Sequence, residues 1–178
     1  LPYFYNLAEN KDITFTPTFQ SNATNYLTTE FRLLNKTGIF NLETNINDNN
    51  DKQGTKHYIF ANAKLESRLD KFDIYLQASN NDTYMKKNQI KEIDVLTSGV
   101  TISDTIKGND FIFETKSYKH LTASDVNKWE YLYPKLTYNI SNINFSNFDS
   151  NININNQLLR LKSLNKNTKM TISSEINI

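Results

Sequence analysis

The sequence predicts an all-β chain, an antiparallel up-and-down meander of about eleven strands. Three observations predict it. Apolar and polar residues alternate from end to end, the two-residue period of a half-buried strand. Aromatic and β-branched residues dominate the alternating runs. Polar clusters such as Asn35-Lys36-Thr37-Gly38 and Asn165-Lys166-Asn167-Thr168 separate them as turns.

The opening holds two runs, Leu1 to Ala8 and Ile13 to Gln20, divided by Glu9-Asn10-Lys11-Asp12. Each carries a proline, Pro2 and Pro17. Proline cannot donate a ladder hydrogen bond and belongs at strand starts, edges or bulges. A hairpin with a proline in each arm pairs weakly. In the third run Leu27, Phe31 and Leu33 oppose Thr28, Glu30 and Arg32. In the fourth, Phe40, Leu42 and Ile46 oppose Asn41, Glu43 and Asn45. Ile59, Ala61, Ala63 and Leu65 then oppose Tyr58, Asn62 and Lys64, and Phe72, Ile74, Leu76 and Ala78 oppose Asp73, Tyr75 and Gln77. Further runs are Val95 to Ile106, Phe111 to Tyr118, Tyr131 to Ile140 and Asn151 to Leu164. The last sets Met170, Ile172, Ile176 and Ile178 against Lys169, Thr171, Ser173 and Glu175. Between Ser79 and Val95, the stretch Asp82 to Ile93 fits a short helix or a loop. In Asn151 to Leu164 the apolar parity changes between Ile154 and Leu159, which predicts a bulge near Asn155-Asn156. Pro134 marks a strand start or another bulge.

Links after Ala8, Asn35, Ser67 and Ile106 are short, and those after Ile46, Ser79 and Tyr118 are long. Short turns at one rim and long loops at the other suit a meander barrel in a membrane. The link after Gln20 looks short and breaks that rule. Periodicity by itself leaves two solutions open. In a soluble sandwich the apolar face is buried by a second sheet. In a membrane barrel it meets lipid, and the polar face lines a wet lumen.

The 178 residues suffice for one domain. The chain begins with Leu1 and ends inside an alternating run, so it reads as a piece of a longer polypeptide. Lys and Arg number 20 against 19 Asp and Glu, a net charge of +1 that offers nucleic acid no basic footprint. There is no cysteine, hence no disulfide framework and no thiolate metal site. Mean hydropathy is -0.61, and no apolar run reaches the roughly 20 residues of a membrane helix. A membrane barrel needs only every second residue apolar. The 4 glycines are few for such a barrel, where glycine marks kinks.

Sites of chemistry are sparse. His57 and His120 stand apart, without the partners of a metal or catalytic cluster, and are expected at the surface. No calcium loop, nucleophile elbow or phosphate-binding glycine loop occurs. The chain is expected to need no metal or cofactor and not to be an enzyme. Aromatics gather near strand ends: Tyr3, Phe4 and Tyr5, then Tyr58 and Phe60, then Trp129, Tyr131 and Tyr133. They fit an interfacial girdle or ordinary cross-strand packing.

The opening Leu1-Pro2-Tyr3-Phe4-Tyr5-Asn6-Leu7-Ala8, with Asp12 and Thr14-Phe15-Thr16-Pro17, resembles the first barrel hairpin of the LptD family of lipopolysaccharide-assembly outer-membrane proteins. Further segments follow in the family's order. Glu30-Phe31-Arg32-Leu33-Leu34 and Gly38 to Glu43 are similar to its next strands. Ser79 to Met85 is similar to one of its loops, and Tyr131 to Leu136 to the start of a later strand. The resemblance covers most of residues 1 to about 140. It departs at Glu9, where the family often has proline, and at Thr29, where glycine is common.

The resemblance implies the N-terminal part of a transmembrane barrel that inserts lipopolysaccharide into the outer leaflet of a Gram-negative outer membrane. It implies three partners: lipopolysaccharide, an LptE-like lipoprotein plug in the lumen, and a periplasmic Lpt bridge reached through a missing N-terminal domain. It makes Pro2 and Pro17 part of a lateral gate between the first and last strands. The fragment is then an open, curved sheet. Its convex, lipid-facing side is expected to carry Phe15, Phe31, Leu42, Ile59, Ala61, Leu76, Ile172 and Ile176. Its concave side is expected to carry Glu30, Glu43, Lys64, Gln77 and Glu175. The alternative from the residues alone is a soluble β-rich, lectin-like module that binds glycans.

Overall fold

The computed structural model describes residues 1–21, 24–47, 54–66, 70–106, 109–122, 128–145, 148–162 and 168–177; the side chains of 106, 133 and 139–178 lie outside that description. Eleven strands form one antiparallel sheet in chain order. They are β1 (Tyr3–Ala8), β2 (Lys11–Thr18), β3 (Tyr26–Asn35), β4 (Gly38–Asn47), β5 (His57–Glu66), β6 (Asp70–Ser79), β7 (Val95–Ile106), β8 (Asn109–His120), β9 (Trp129–Phe145), β10 (Phe148–Lys162) and β11 (Thr168–Asn177). A single helical turn, α1 (Tyr84–Lys87), lies between β6 and β7. β1 and β11 stand at opposite ends of the order, so the sheet is open and not closed into a barrel.

The links sort by length. Links 9–10, 36–37, 67–69, 107–108 and 146–147 lie at one rim, and 19–25, 48–56, 80–94, 121–128 and 163–167 at the other. Every short link is at the first rim. The link after β2 obeys the rule after all, because β2 stops at Thr18 and β3 starts only at Tyr26. Strands β3 to β6 have 10 residues each. At about 3.4 Å per residue and a tilt near 45°, such a strand rises about 24 Å, close to the height of a lipid-facing band.

Asparagine closes one of the hairpin turns. At the β3–β4 hairpin, Asn35 Oδ1 accepts from the Thr37 backbone N–H and hydroxyl, both at 3.0 Å. Such a side chain supplies the local bond that closes a turn. A Cβ at Gly38 would collide with the Lys64 carbonyl oxygen, so only glycine lets β5 approach here. Gly99 has the same constraint: its Cβ would lie 2.5 Å from the Thr115 carbonyl oxygen and 3.1 Å from the Tyr75 hydroxyl.

The bulge expected in β10 is on its neighbour. β10 pairs with β11 from Asn153 to Lys162 without a shift. Its pairing with β9 shifts twice, once between Ser150 and Ile152 and once where Gln157 pairs Lys135 and Leu158 pairs Tyr133, the latter leaving Pro134 as the extra residue of β9. The shift between Glu114 and Lys116 of β8 spans the same residue. Proline has no N–H for either ladder, so the break settles on it. Pro134 is thus a bulge inside a strand that begins at Trp129.

Candidate functional site: two faces, one edge and a docked link

Register defines the two faces. One row runs Ile13, Phe31, Leu42, Ala61, Leu76 across β2 to β6. The next runs Leu33, Phe40, Ala63, Ile74, Val100 across β3 to β7. A third begins at Phe15 and passes Thr29 and Thr44 to Ile59. Phe15, Phe31, Leu42, Ile59, Ala61 and Leu76 therefore share one apolar face. The opposite face carries Thr14, Glu30, Glu43, Phe60 and Gln77 in one row, with Lys64 two residues further along β5 than Asn62 of the next. That second row is Asp12, Arg32, Asn41, Asn62, Tyr75. Ile172, Ile176 and Glu175 fall in β11, where side chains are outside the described residues.

The reverse of a water-soluble sheet is found on β6, whereas on β3 Glu30 and Arg32 are exposed and Phe31 and Leu33 half-buried. On β6 the apolar Ile74 and Leu76 are 41% and 47% exposed, whereas Tyr75 and Gln77 between them are half-buried. Phe15 and Ile59 are also exposed. The polar face is the hollow one. A cavity of about 420 Å³ lies on it, lined among others by Glu30, Arg32, Glu43, Asn62, Tyr75 and Gln77.

The core sits on that polar face too. Tyr58, Tyr84, Met85, Leu96 and Leu121 are buried together, with Phe60, Ile90 and Ile93 against them. Their position follows from a splay in the sheet. β6 and β7 pair only as far as Tyr75 and Gly99. Beyond that point the Gln77 backbone N–H donates to Ser98 Oγ at 3.0 Å, and Gln77 Oε1 accepts from the Thr97 N–H at 2.8 Å. Link 80–94 fills the opening and folds across toward β4. Asn81 Oδ1 accepts from the Thr83 N–H at 3.1 Å and so starts the turn of α1.

Tyr84 donates a hydrogen bond to Asn45, which is 1% exposed and in turn donates to Thr28 Oγ1 at 2.8 Å. Burial pushes the Tyr84 phenol up to about 12, with a smaller push from Tyr26. Lys91 Nζ lies 2.7 Å from Glu43 Oε2, and the Tyr58 hydroxyl donates to Glu43 Oε1 at 2.6 Å. Asp82 accepts from Lys119 Nζ at 2.9 Å and Lys128 Nζ at 2.6 Å. Burial alone would raise the Asp82 carboxyl; the bonds from Lys128 and Lys119 outweigh it and hold the group below its ordinary value.

Tyr58 and Phe60 thus belong to this core, their rings 4.9 Å apart, and not to a girdle. Their even parity on β5 turns them toward the link. Trp129 and Tyr131 stack at 6.2 Å. His57 is exposed as expected, but His120 is half-buried, with Nε2 3.5 Å from Glu130 Oε2, an ion pair only when the imidazole is protonated. Among the described residues no group of three or more His, Cys, Asp or Glu could hold a metal, and no helix is long and apolar enough to cross a membrane.

The two prolines lie at one end of the first hairpin. Pairing begins at Tyr3 with Phe15, so Pro2 precedes the ladder and removes no N–H from it. Pro17 is inside β2, opposite Leu27 of β3, and beyond the last partner in β1. Near the turn, Asn6 pairs Asp12 and Ala8 pairs Lys11, which leaves Leu7 as a bulge. All six residues of β1 are exposed. The prolines thus flank the β1–β2 ladder and do not weaken it from within; the short helix lies inside the expected stretch Asp82 to Ile93, but its docking had no sequence signal.

No family model matches the chain, and no curated protein is significantly similar to it.

Proposed function

We propose that this chain is a wall segment of an outer-membrane β-barrel, the N-terminal strands of a translocon that inserts lipopolysaccharide into the outer leaflet through a lateral gate. The observation that carries the proposal is the uncovered apolar face: among the described residues no second layer lies over it, Ile59, Ile74 and Leu76 are exposed on it, and the core lies on the polar face. Water disfavours such a face at about 25 cal/mol per Å² of apolar surface, whereas lipid tolerates it. An antiparallel meander with short links at one rim supports the same assignment. The resemblance of the first hairpin to the LptD family supplies the cargo and the partners: lipopolysaccharide, an LptE-like plug against the polar face, and a periplasmic Lpt bridge.

The first hairpin supports the gate. β1 offers few regular pairs, a bulge and an unpaired outer edge, and Pro17 withholds an N–H beside it. A soluble glycan-binding module would require the apolar face to be covered, and the single sheet gives it no second layer among the described residues.

The test uses the intact protein in vesicles containing brominated lipid, with Trp129 replaced by Phe. Tryptophan at Leu76 is expected to be quenched and tryptophan at Gln77 is not. Equal quenching at both positions defeats the barrel. A photo-crosslinking residue at Tyr5 is expected to capture lipopolysaccharide in cells; its absence there, with quenching intact, defeats the gate alone.

A further inference from the structure

A loop at the rim of a sheet has no need to bury side chains, yet link 80–94 buries Tyr84 and Met85. We infer that this link is a strap that closes the polar face at the long-link rim to a bulky polar solute. The inference rests on the barrel proposal, in which the polar face lines a lumen.

Three anchors hold the strap, one at β8 and the start of β9 and two on β4. The first is Asp82 between Lys119 of β8 and Lys128 beside β9, with side-chain exposures of 28%, 14% and 23%. The second is Tyr84 on Asn45 of β4, extended through Thr28 to β3. The third is Lys91 on Glu43 of β4, its ammonium 5.2 Å from the centre of the Phe60 ring. Together they cross the polar face from β3 to β8, far beyond the β6–β7 gap that the link has to bridge.

The ends of the link are fixed. The Asn80 N–H donates to the His57 carbonyl at 3.2 Å, and the Leu121 N–H donates to the Asp94 carbonyl at 2.8 Å. Between these ends lie one turn of helix and Gln89 at φ 53°, a left-handed position that stops the turn. Two of the three anchors are ion pairs with partial access to water, which exchange for hydration at small net cost. The greater part of the hold is apolar: Tyr84 and Met85, each 1% exposed, sit in the core.

Glu43→Cys with Lys91→Cys tests this, because one protein provides both states. It is reconstituted intact into phosphatidylethanolamine and phosphatidylglycerol vesicles loaded with a polar dye. Before bridging, loss of the third anchor is expected to raise dye release about tenfold over the parent, the shift expected when one partly buried anchor is removed. A bismaleimide that joins the two thiols is expected to return release to the parent rate or below. Asp82→Asn, which frees the first anchor, is expected to raise release as well. If bridging leaves release unchanged while tryptophan at Leu76 is still quenched by brominated lipid, the strap is wrong and the barrel stands. If that quenching is lost in the parent protein, both fall.

Discussion

The first hairpin and the region from β4 to β8 come from the same alternating pattern and end in opposite conditions. Every residue of β1 is exposed, one edge has no partner in the sheet, and a bulge at Leu7 interrupts its pairing with β2. β5 is paired on both sides along its length, and Tyr58 on it is 1% exposed beneath the link. Alternation makes a strand. Its stability depends on what lies over each face and on whether both edges are used.

The largest expected effect lies in the second region. Tyr84→Ala removes a buried ring and leaves Asn45 without its donor, and is expected to cost about 3–5 kcal/mol. The check is chemical unfolding of the intact protein. Tyr5→Ala, in the exposed β1, is expected to shift it by no more than about 0.5 kcal/mol. Equal losses would erase the contrast between the two regions.

Next comes the difference between the faces. Leu76→Lys is expected to cost about 2–4 kcal/mol if it sits near the bilayer midplane, measured as loss of folded protein inserted in vesicles. Gln77→Lys, one residue away on the polar face, is expected to insert nearly as the parent does. A reversed order would exchange the two faces.

A smaller effect sharpens the role of the link through pH. The Asp82 carboxyl is held below its ordinary value of 3.8 in the folded chain. Its contribution to stability is therefore complete above about pH 4, the unfolded value, and is lost as pH falls through the lower folded value. Unfolding followed from pH 5 down to acid is expected to be steeper in the parent than in Asp82→Asn. Identical slopes would remove Asp82 from the clamp.

The smallest effect concerns the edge. Pro17→Ala returns one N–H to β2, a net gain of about 0.5–1.5 kcal/mol where a partner exists. Pro2→Ala adds an N–H just outside the present ladder. In cells the pair is expected to slow delivery of lipopolysaccharide to the surface. Unchanged surface lipopolysaccharide and detergent resistance at equal protein level would detach both prolines from a gate.

By itself the sequence determined the strands, their order and the two faces. Those follow from a period of two and from turn residues, and both are local: Phe31, Leu42 and Leu76 meet in one row because each sits at the right parity in a neighbour-paired strand. Its prolines pointed to the first hairpin for a reason the structure does not bear out: Pro2 precedes the β1–β2 ladder, Pro17 lies beyond it, and the break in that pairing is at Leu7. Only the tertiary structure decided where the core lies. Tyr58 and Phe60 look like any strand-end aromatics until link 80–94 returns over them. Asn45 looks like a solvated polar position until Tyr84, 39 residues away, reaches it. The bulge moved from β10 to Pro134 for a related reason: an irregularity belongs to a pair of strands, and the missing N–H on one of them decides which strand holds the extra residue.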